Sequence, residues 1–478
     1  MDSASIEFIA FGLVVALLSN LMPWRAWRSA VLFIASLLFL WMLSPGIVAL
    51  LPLIGFLALG YISVVFIRDG WKKLIPFAIV AIVFAFIWLK KYAFLPSGIF
   101  LHFPYFTIGL SYIFFRVLHL VIESGEDGSV RTISLGAYLL YTINFTTLVS
   151  GPIQRYEAFV RDQFAEQPLP LNIFIVGTQI ERIIRGYFKV AVLALIFNIV
   201  QVDMLTRISQ PQPVAQKVVP AFLLSIVYPF FLYTNFSGYI DIVIAIARLM
   251  RVQLPENFDR PFSATSFLDF WNRWHITLST WLKTYVYNPL LLALMRLITS
   301  ITLEPFLGVF CFFVTFFLIG IWHGRTSEYA LFGVLQGGGV AINKLWQLQL
   351  TKWMGRKSYR SLAEKPIYRA FGRGLTFSWF AFTLFWFWGN WGQIHIIFSA
   401  LSIGFWLLIW LAIWLTATAV LAAFEVIRVR LLDITIGNQQ VLLCRYARVI
   451  YATVFAVVAF IMSAILAQPS PDIVYKAF

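Results

Sequence analysis

Histidine is scarce in this chain, with five in 478 residues. Two of the five lie where proton chemistry is possible. His323 closes an almost wholly apolar run, FFLIGIWHGRTSEY (316–329), directly after Trp322 and between glycines at 320 and 324. His275 lies in SFLDFWNRWHITLSTWLKTYVYNPL (266–290), beside Arg273 and among Trp271, Trp274 and Trp281. A neutral imidazole is the natural general base near neutral pH. A histidine in apolar sequence is also often a satisfied structural donor, so the residues alone leave both readings open. A third stretch, YTNFSGYIDIVIAIARLM (233–250), carries Ser237, Asp241 and Arg248 at i, i+4 and i+11, one face of a helix. A carboxylate in such a run is paired or functional. An ion pair with Arg248, or a similar pair holding helices together, competes there with a direct catalytic role.

These groups need a scaffold, and composition dictates its class. The chain is 61% hydrophobic and 12% charged, with a mean hydropathy of +0.84. A soluble fold of this length could not hide so much apolar surface, so lipid must cover it. Apolar segments long enough to approach a bilayer's thickness lie near 6–22, 29–45, 47–67, 74–92, 103–122, 135–150, 172–200, 218–250, 286–300, 303–323, 328–348, 375–391, 396–424 and 447–467. The segment 218–250 is long enough to be broken. The expectation is an all-α polytopic membrane protein of roughly 11–13 membrane helices, some re-entrant, because an open strand edge would leave peptide groups unpaired in hydrocarbon. The polar breaks at 123–134, 202–216 and 350–373 are too short for an independent fold. Residues 1–478 therefore form one domain in this reading.

Periodicity places the histidines on helices. Trp271, His275 and Ser279 fall at i, i+4 and i+8, and Trp274, Leu278 and Trp281 form an adjacent stripe. Tryptophans flanked by Arg273 and Lys283 describe a helix anchored at the membrane interface. That explains the indoles and cations and leaves His275 without a reason. Gly320 and Gly324, and Gly333 and Gly337, have the GxxxG spacing that lets helices approach closely.

Lys and Arg exceed Asp and Glu by 36 to 21, a net charge of +15. The excess follows short loops: Arg25 and Arg28; Arg68, Lys72 and Lys73; seven cations against Glu364 in 352–373; and Arg428, Arg430, Arg445 and Arg448. This is the positive-inside pattern, not a nucleic-acid surface, and it puts the N-terminus outside. Lys90 and Lys91 break the alternation. MDSASIEF has no basic n-region, which predicts a retained first helix. Cys311 and Cys444 give neither metal spacing nor a disulfide framework. Neither a phosphate-cradling GxxxxGK[ST] nor HExxH nor GxSxG occurs, and no metal site is expected.

Three stretches together, FSGYIDIVIAIARLMRVQLPENFDRPF (236–262), SFLDFWNRWHITLSTWLKTYVYNPL (266–290) and GIWHG (320–324), resemble the membrane-bound O-acyltransferase family. The match is to its bacterial branch of alginate O-acetylation and teichoic-acid D-alanyl transfer. Weaker echoes occur in TIGLSYIFFRVLHLVIE (107–123), LVSGPIQRYEAF (148–159) and IIRGYFKVAVLA (183–194), so the likeness covers most of 105–345. FWxRWHxxLSxWL followed 48 residues later by the histidine of WHG (323 − 275) is a specific combination. The chain departs from the branch at FGVLQGGG (332–339), where Gln336 stands in place of a second His-Gly histidine.

The resemblance implies helices around a funnel or tunnel and transfer of a short acyl group, acetyl in this branch, to a hydroxyl. It makes His323 the intramembrane catalytic histidine and His275 the second catalytic histidine near the cytoplasmic mouth. Trp322, Asp241, Trp271, Arg273 and Gln336 would line the substrate path. No bound cofactor is implied; the donor would be an acyl-CoA or acyl-carrier-protein thioester. The acceptor would be an exported polysaccharide or a partner protein's hydroxyl. With no serine-hydrolase-like domain expected in this chain, a separate periplasmic or extracellular acyltransferase or polysaccharide export machinery would complete the transfer. The setting implied is the bacterial plasma membrane. Two other classes fit parts of the pattern: an intramembrane transporter or flippase using Asp241, Arg248 and His323 as a relay, and a non-catalytic scaffold for a periplasmic acyltransferase.

Overall fold

The computed structural model describes residues 5–432 and 444–466, apart from 127 and 301, together with 435–436 and 439–440. Among these residues the protein is all-α except for one antiparallel hairpin of two-residue strands, Thr435–Ile436 and Gln439–Gln440. Seven helices are long and apolar enough to cross a membrane: Arg25–Leu43, Val48–Arg68, Lys72–Leu89, Ile173–Ser209, Val214–Leu249, Glu304–His323 and Ile403–Leu431. The other apolar segments are also helical but shorter or more polar, such as Leu110–Glu123, Asn288–Leu297 and Ser327–Met354. The protein is thus a multi-pass membrane protein. The segment near 218–250 is not broken: Val214–Leu249 runs as one helix of 36 residues with Pro220 and Pro229 inside it. Prolines are tolerated within membrane helices because neighbours re-satisfy the freed backbone groups.

Contacts divide the chain into two compact units. The first takes Met1–Val190 and Asn235–Glu256 among the described residues, and the second Ala191–Thr234 and Asn257–Leu466. The first contains α1 (Ile6–Ser19), α2 (Arg25–Leu43), α3 (Leu51–Arg68), α4 (Ile75–Leu89), α5 (Leu110–Glu123), α6 (Leu135–Thr142), α7 (Phe145–Leu148), α8 (Tyr156–Gln163) and α9 (Ile173–Phe188). Helix α5 is buried along nearly its whole length, and its polar side chains fasten the segment that follows α6. Arg116 is fully buried. Its Nη1 donates to the carbonyls of Tyr141 at 3.1 Å and Thr142 at 2.8 Å, and its Nη2 to that of Thr147. These include carbonyls that the end of α6 cannot satisfy internally. One turn on, His119 Nε2 accepts from the Tyr156 N–H at 3.1 Å, and its Nδ1 lies 3.4 Å from Glu123.

The second unit contains α10 (Leu195–Ser209), the first part of α11 (Val214–Leu249), α12 (Phe267–Trp271), α13 (Ile276–Leu282), α14 (Asn288–Leu297), α15 (Glu304–His323), α16 (Ser327–Met354), α17 (Arg356–Glu364), α18 (Pro366–Thr383), α19 (Phe385–Trp388), α20 (Trp391–Ser399), α21 (Ile403–Leu432) and α22 (Arg445–Leu466). Its tightest pair is α15 against α16, and glycines set the spacing. A Cβ on Gly320 would lie 2.2 Å from the Gly333 Cα. One on Gly333 would lie 2.5 Å from the Phe317 carbonyl oxygen, and one on Gly337 the same distance from that of Phe313. Without a hydrophobic force between helices in lipid, this close backbone approach is what holds such a pair together. Gly324 does a different job from the one its spacing suggests: it follows the end of α15, and a Cβ there would strike the Tyr329 ring at 2.1 Å. It serves the α15–α16 turn and leaves the helix contact to Gly320.

The glycine contacts make a paired prediction. Gly320→Val forces α15 from α16, so its thermal midpoint and folded yield fall, by at least the roughly 1–3 kcal/mol typical of overpacking. Gly338→Ala, where a Cβ would meet nothing within 4 Å, leaves both unchanged or slightly improved. Thermal unfolding of the purified variants decides; equal midpoints would refute the close-packing account.

Candidate active site

The segment carrying His275 is not the continuous helix that its periodicity predicts. Helix α12 ends at Trp271, and His275 adopts left-handed backbone angles, φ 46° and ψ 52°, directly before α13. Asn257 explains the break. Its Oδ1 accepts from the Thr277 N–H at 3.0 Å and from the Thr277 hydroxyl at 2.9 Å, and lies 3.3 Å from His275 Nδ1. Its backbone carbonyl accepts from Ile276 at 3.0 Å, and Asp259 N–H donates to the Arg273 carbonyl at 2.9 Å. The chain at 257–259 thus pairs with 273–277 and draws it out of helical geometry. A non-glycine residue in the left-handed region costs about 1–3 kcal/mol and persists only where its surroundings over-determine it.

The surrounding tryptophans are interior, not interfacial. Trp271 and Trp274 are 2% exposed and Trp281 is 7% exposed. Trp274 stacks on Phe270 at 5.5 Å. The interfacial-anchor reading therefore fails for these rings, which pack the second unit. His275 is itself completely buried and lies outside the helices long enough to span the membrane. Burial pushes its pKa down to about 3, so its ring is neutral at ordinary pH.

His323, in the last turn of α15, is 2% exposed. Its ring packs against Trp322 at 4.8 Å, Phe387 at 5.0 Å and Phe332 at 6.0 Å. Trp322 in turn meets the His275 ring at 6.4 Å. The two imidazoles thus share one indole. One turn beyond Phe332 on α16 is Gln336, and one turn before Phe387 is Thr383. Gln336 is completely buried and its Nε2 donates to the Thr383 hydroxyl at 2.7 Å. A polar clamp therefore joins α16, which carries Phe332, to the end of α18, directly before the α19 that carries Phe387.

Within the same unit, Trp271 and Arg273 have other partners. Trp271 packs on Phe316 at 5.0 Å, two helical turns before His323. Arg273 is partly exposed and pairs with Asp269 at 2.9 Å and Asp259 at 3.6 Å. A groove of about 740 Å³ between α18 and α21, walled by Trp379, Trp386, Trp406 and Trp410, has no titratable side chain in its lining.

Asp241 belongs to the first unit, with a set of partners the sequence did not single out. Arg182 Nε donates to it at 2.9 Å, Lys189 Nζ lies at 2.8 Å and Arg185 Nε at 3.6 Å. Lys189 also donates to Ser237 at 3.3 Å, and Arg182 makes a bidentate pair with Glu256 at 2.7 and 2.6 Å. Arg248 is not the partner; its Nη2 donates to the Pro170 carbonyl at 2.7 Å. Glycines permit the arrangement. Cβ atoms on Gly186 of α9 and Gly238 of α11 would fall 2.6 and 2.7 Å from each other's carbonyl oxygens. The helices cross there, one turn from Arg182 and Lys189 and three residues from Asp241. The signal for this set was present in RIIRGYFK (182–189), an amphipathic run whose three cations flank one glycine.

Comparison with known proteins assigns the sequence that builds this site to a family. Residues 47–385, which include both histidines, match the profile of MBOAT, the membrane-bound O-acyltransferase family. The chain is 30% identical over 277 residues to the teichoic acid D-alanyltransferase of Streptococcus thermophilus, covering 57% of this chain and 65% of that one. It is 28% identical over 233 residues to the protein of the same name from Bacillus subtilis, covering 48% and 56%. It is 30% identical over 239 residues to the "Probable alginate O-acetylase AlgI" of Pseudomonas aeruginosa, covering 50% and 42%. The matched region thus spans less than two thirds of each of these relatives. With the family profile extending over more than half of its length, the chain belongs to the membrane-bound O-acyltransferase family.

Proposed function

We propose that this protein is a single-domain membrane O-acyltransferase. In this reading it moves a short acyl group, acetyl, from a cytoplasmic thioester to a hydroxyl of an exported polysaccharide or of a partner protein. The observation that carries the proposal is the buried His323 ring, sharing Trp322 with His275 inside the family-matched region. The donor is acyl-CoA or an acyl-carrier-protein thioester, and a separate extracytoplasmic acyltransferase or export machinery receives the product. The protein works in the bacterial plasma membrane with its N-terminus outside.

A thioester is already activated, so the reaction needs a base, alignment of two reactants and exclusion of water. His323 takes the proton of the acceptor hydroxyl as its oxygen adds to the thioester carbonyl. The tetrahedral adduct then collapses, the C–S bond breaks, and the imidazolium returns the proton to the departing sulfur. Walls of Trp322, Phe332 and Phe387 keep water from the thioester. His275, held neutral by burial and oriented by Asn257, positions the donor through the shared indole. Trp271, Arg273 and Gln336 support the substrate path. Asp241, already bonded by several cations, is poorly suited to exchanging protons, which counts against a transporter relay.

His323→Ala is expected to lower acyl transfer from a labelled thioester by about 10²–10⁴-fold with the thermal midpoint nearly unchanged; near-normal turnover in folded protein would sink the mechanism. In the same assay His275→Ala raises the donor requirement or lowers turnover, and parity with wild type on both counts would remove His275 from the site.

For Asp241→Asn the expected loss is in stability. Removing one partner of a buried ion pair typically costs about 3–5 kcal/mol, so folded yield drops while the surviving folded protein keeps its activity. A stable but inactive Asp241→Asn protein would instead make Asp241 part of the chemistry.

Orientation is tested with Ser358→Cys in a background lacking Cys311 and Cys444. The basic α17 segment should label from the cytoplasmic side, and labelling solely from outside would invert the topology.

A further inference from the structure

We propose that the first unit carries a phosphate-binding site built by Arg28, Arg248 and Arg251 around segment 162–170. The three guanidiniums come from the first turn of α2, the last turn of α11 and the residue pair beyond α11. They converge on one short stretch of chain. Arg28 Nη2 donates to the Ala165 carbonyl at 2.6 Å, Arg251 Nη1 to that of Leu169 at 3.1 Å, and Arg248 Nη2 to that of Pro170 at 2.7 Å. Arg251 has a left-handed backbone, φ 66°. Its Nε is held at 2.6 Å by the side chain of Asn20, which also caps Leu249.

Charge sets this cluster apart. The buried carboxylate beside it is Asp162, and that group is already engaged by Arg161 Nε at 3.0 Å and by the Gln253 N–H at 2.9 Å. Glu166 is exposed and forms no ion pair among the described residues. Around Asp241, by contrast, three cations face two carboxylates and bond to them directly. In the arginine cluster the acceptors are neutral carbonyls, which occupy part of each fork and cancel no charge. Two further donors, Arg28 Nε and Arg248 Nη1, are buried with no acceptor among the described residues. Arg28 is 3% exposed, whereas the Arg248–Pro170 contact is at the surface, so the cluster runs from the surface inward.

Planar guanidinium forks match phosphoryl oxygens bidentately, and an anionic phosphoryl group supplies missing acceptors and negative charge together. Arg28 also belongs to the basic loop that the charge pattern assigns to the cytoplasmic side. Basic pockets at that level of a membrane protein are suited to anionic lipid headgroups. A phosphate on a soluble molecule presents the same chemistry.

The test uses the full-length purified protein and its thermal midpoint, which a ligand of the folded state raises in a saturable way. Phosphatidylglycerol, phosphatidylcholine and sodium pyrophosphate are titrated separately. A saturable rise with phosphatidylglycerol alone assigns a lipid headgroup, and one with pyrophosphate as well assigns phosphate from either source. Arg28→Gln and Arg248→Gln should each weaken the responding probe about 10-fold or more, the scale of one lost charge-assisted hydrogen bond. Arg207→Gln, which removes an exposed cation paired with Asp203, should leave it unchanged. Arg248 lies at the exposed edge, so its variant carries the test if Arg28→Gln does not fold. The proposal is overturned if neither phosphate probe gives a saturable rise, if phosphatidylcholine does as well, or if the response survives in folded Arg248→Gln.

Discussion

The carboxamide of Asn257 and its backbone carbonyl together take the amides of Ile276 and Thr277 and the Thr277 hydroxyl. Without them the sequence from Phe267 to Leu282 would continue as one helix, and His275 would point with the stripe that its spacing predicts. With them, the helix stops at Trp271, the backbone turns left-handed at His275, and the imidazole packs on Trp322. Everything proposed for the two histidines depends on that break. The hydrogen bonds are strong enough to impose it because they form inside the protein, where an unpaired amide would be costly.

The same rule governs the other polar groups at depth. Arg116 caps the carbonyls at the end of α6, His119 takes the Tyr156 amide, and Gln336 bonds Thr383 beside the segments that wall His323. None of these pairs joins chain neighbours. Each fixes one helix or loop against another, so satisfaction of a polar group and positioning of a segment are the same event. Glycines act in the complementary way. At Gly320–Gly333 and at Gly186–Gly238 the absence of a side chain brings backbones together. The second of these crossings is what puts the cations of α9 within reach of Asp241.

Two clusters of the first unit show how charge balance separates structure from recognition. Asp241 and Glu256 offset two of the three positive charges of Arg182, Arg185 and Lys189 within the fold, which suits a fastening between helices. Arg28, Arg248 and Arg251 face carbonyls instead, and the charge they bring together is left for something outside the chain.

Much of this protein follows from its sequence because hydrocarbon is an unforgiving solvent. A chain with 61% hydrophobic residues had to be helical and multi-pass. The motifs around His275 and His323 carried the family, and GxxxG spacing pointed to close packing, correctly at Gly333 and Gly337. Local periodicity failed wherever a distant group overrode it. The helix through His275 was broken by Asn257, eighteen residues upstream. Three tryptophans that suit an interface were drawn into the interior. Asp241 found its cations on α9 and at the residue directly after it, over 50 residues away, in place of Arg248 on its own face. Sequence by itself determined that the chain is helical and multi-pass and which residue types can do chemistry, since both depend on composition and short-range spacing. Which polar group meets which was decided only by tertiary structure, because those partners are far apart along the chain and become neighbours only when the helices pack.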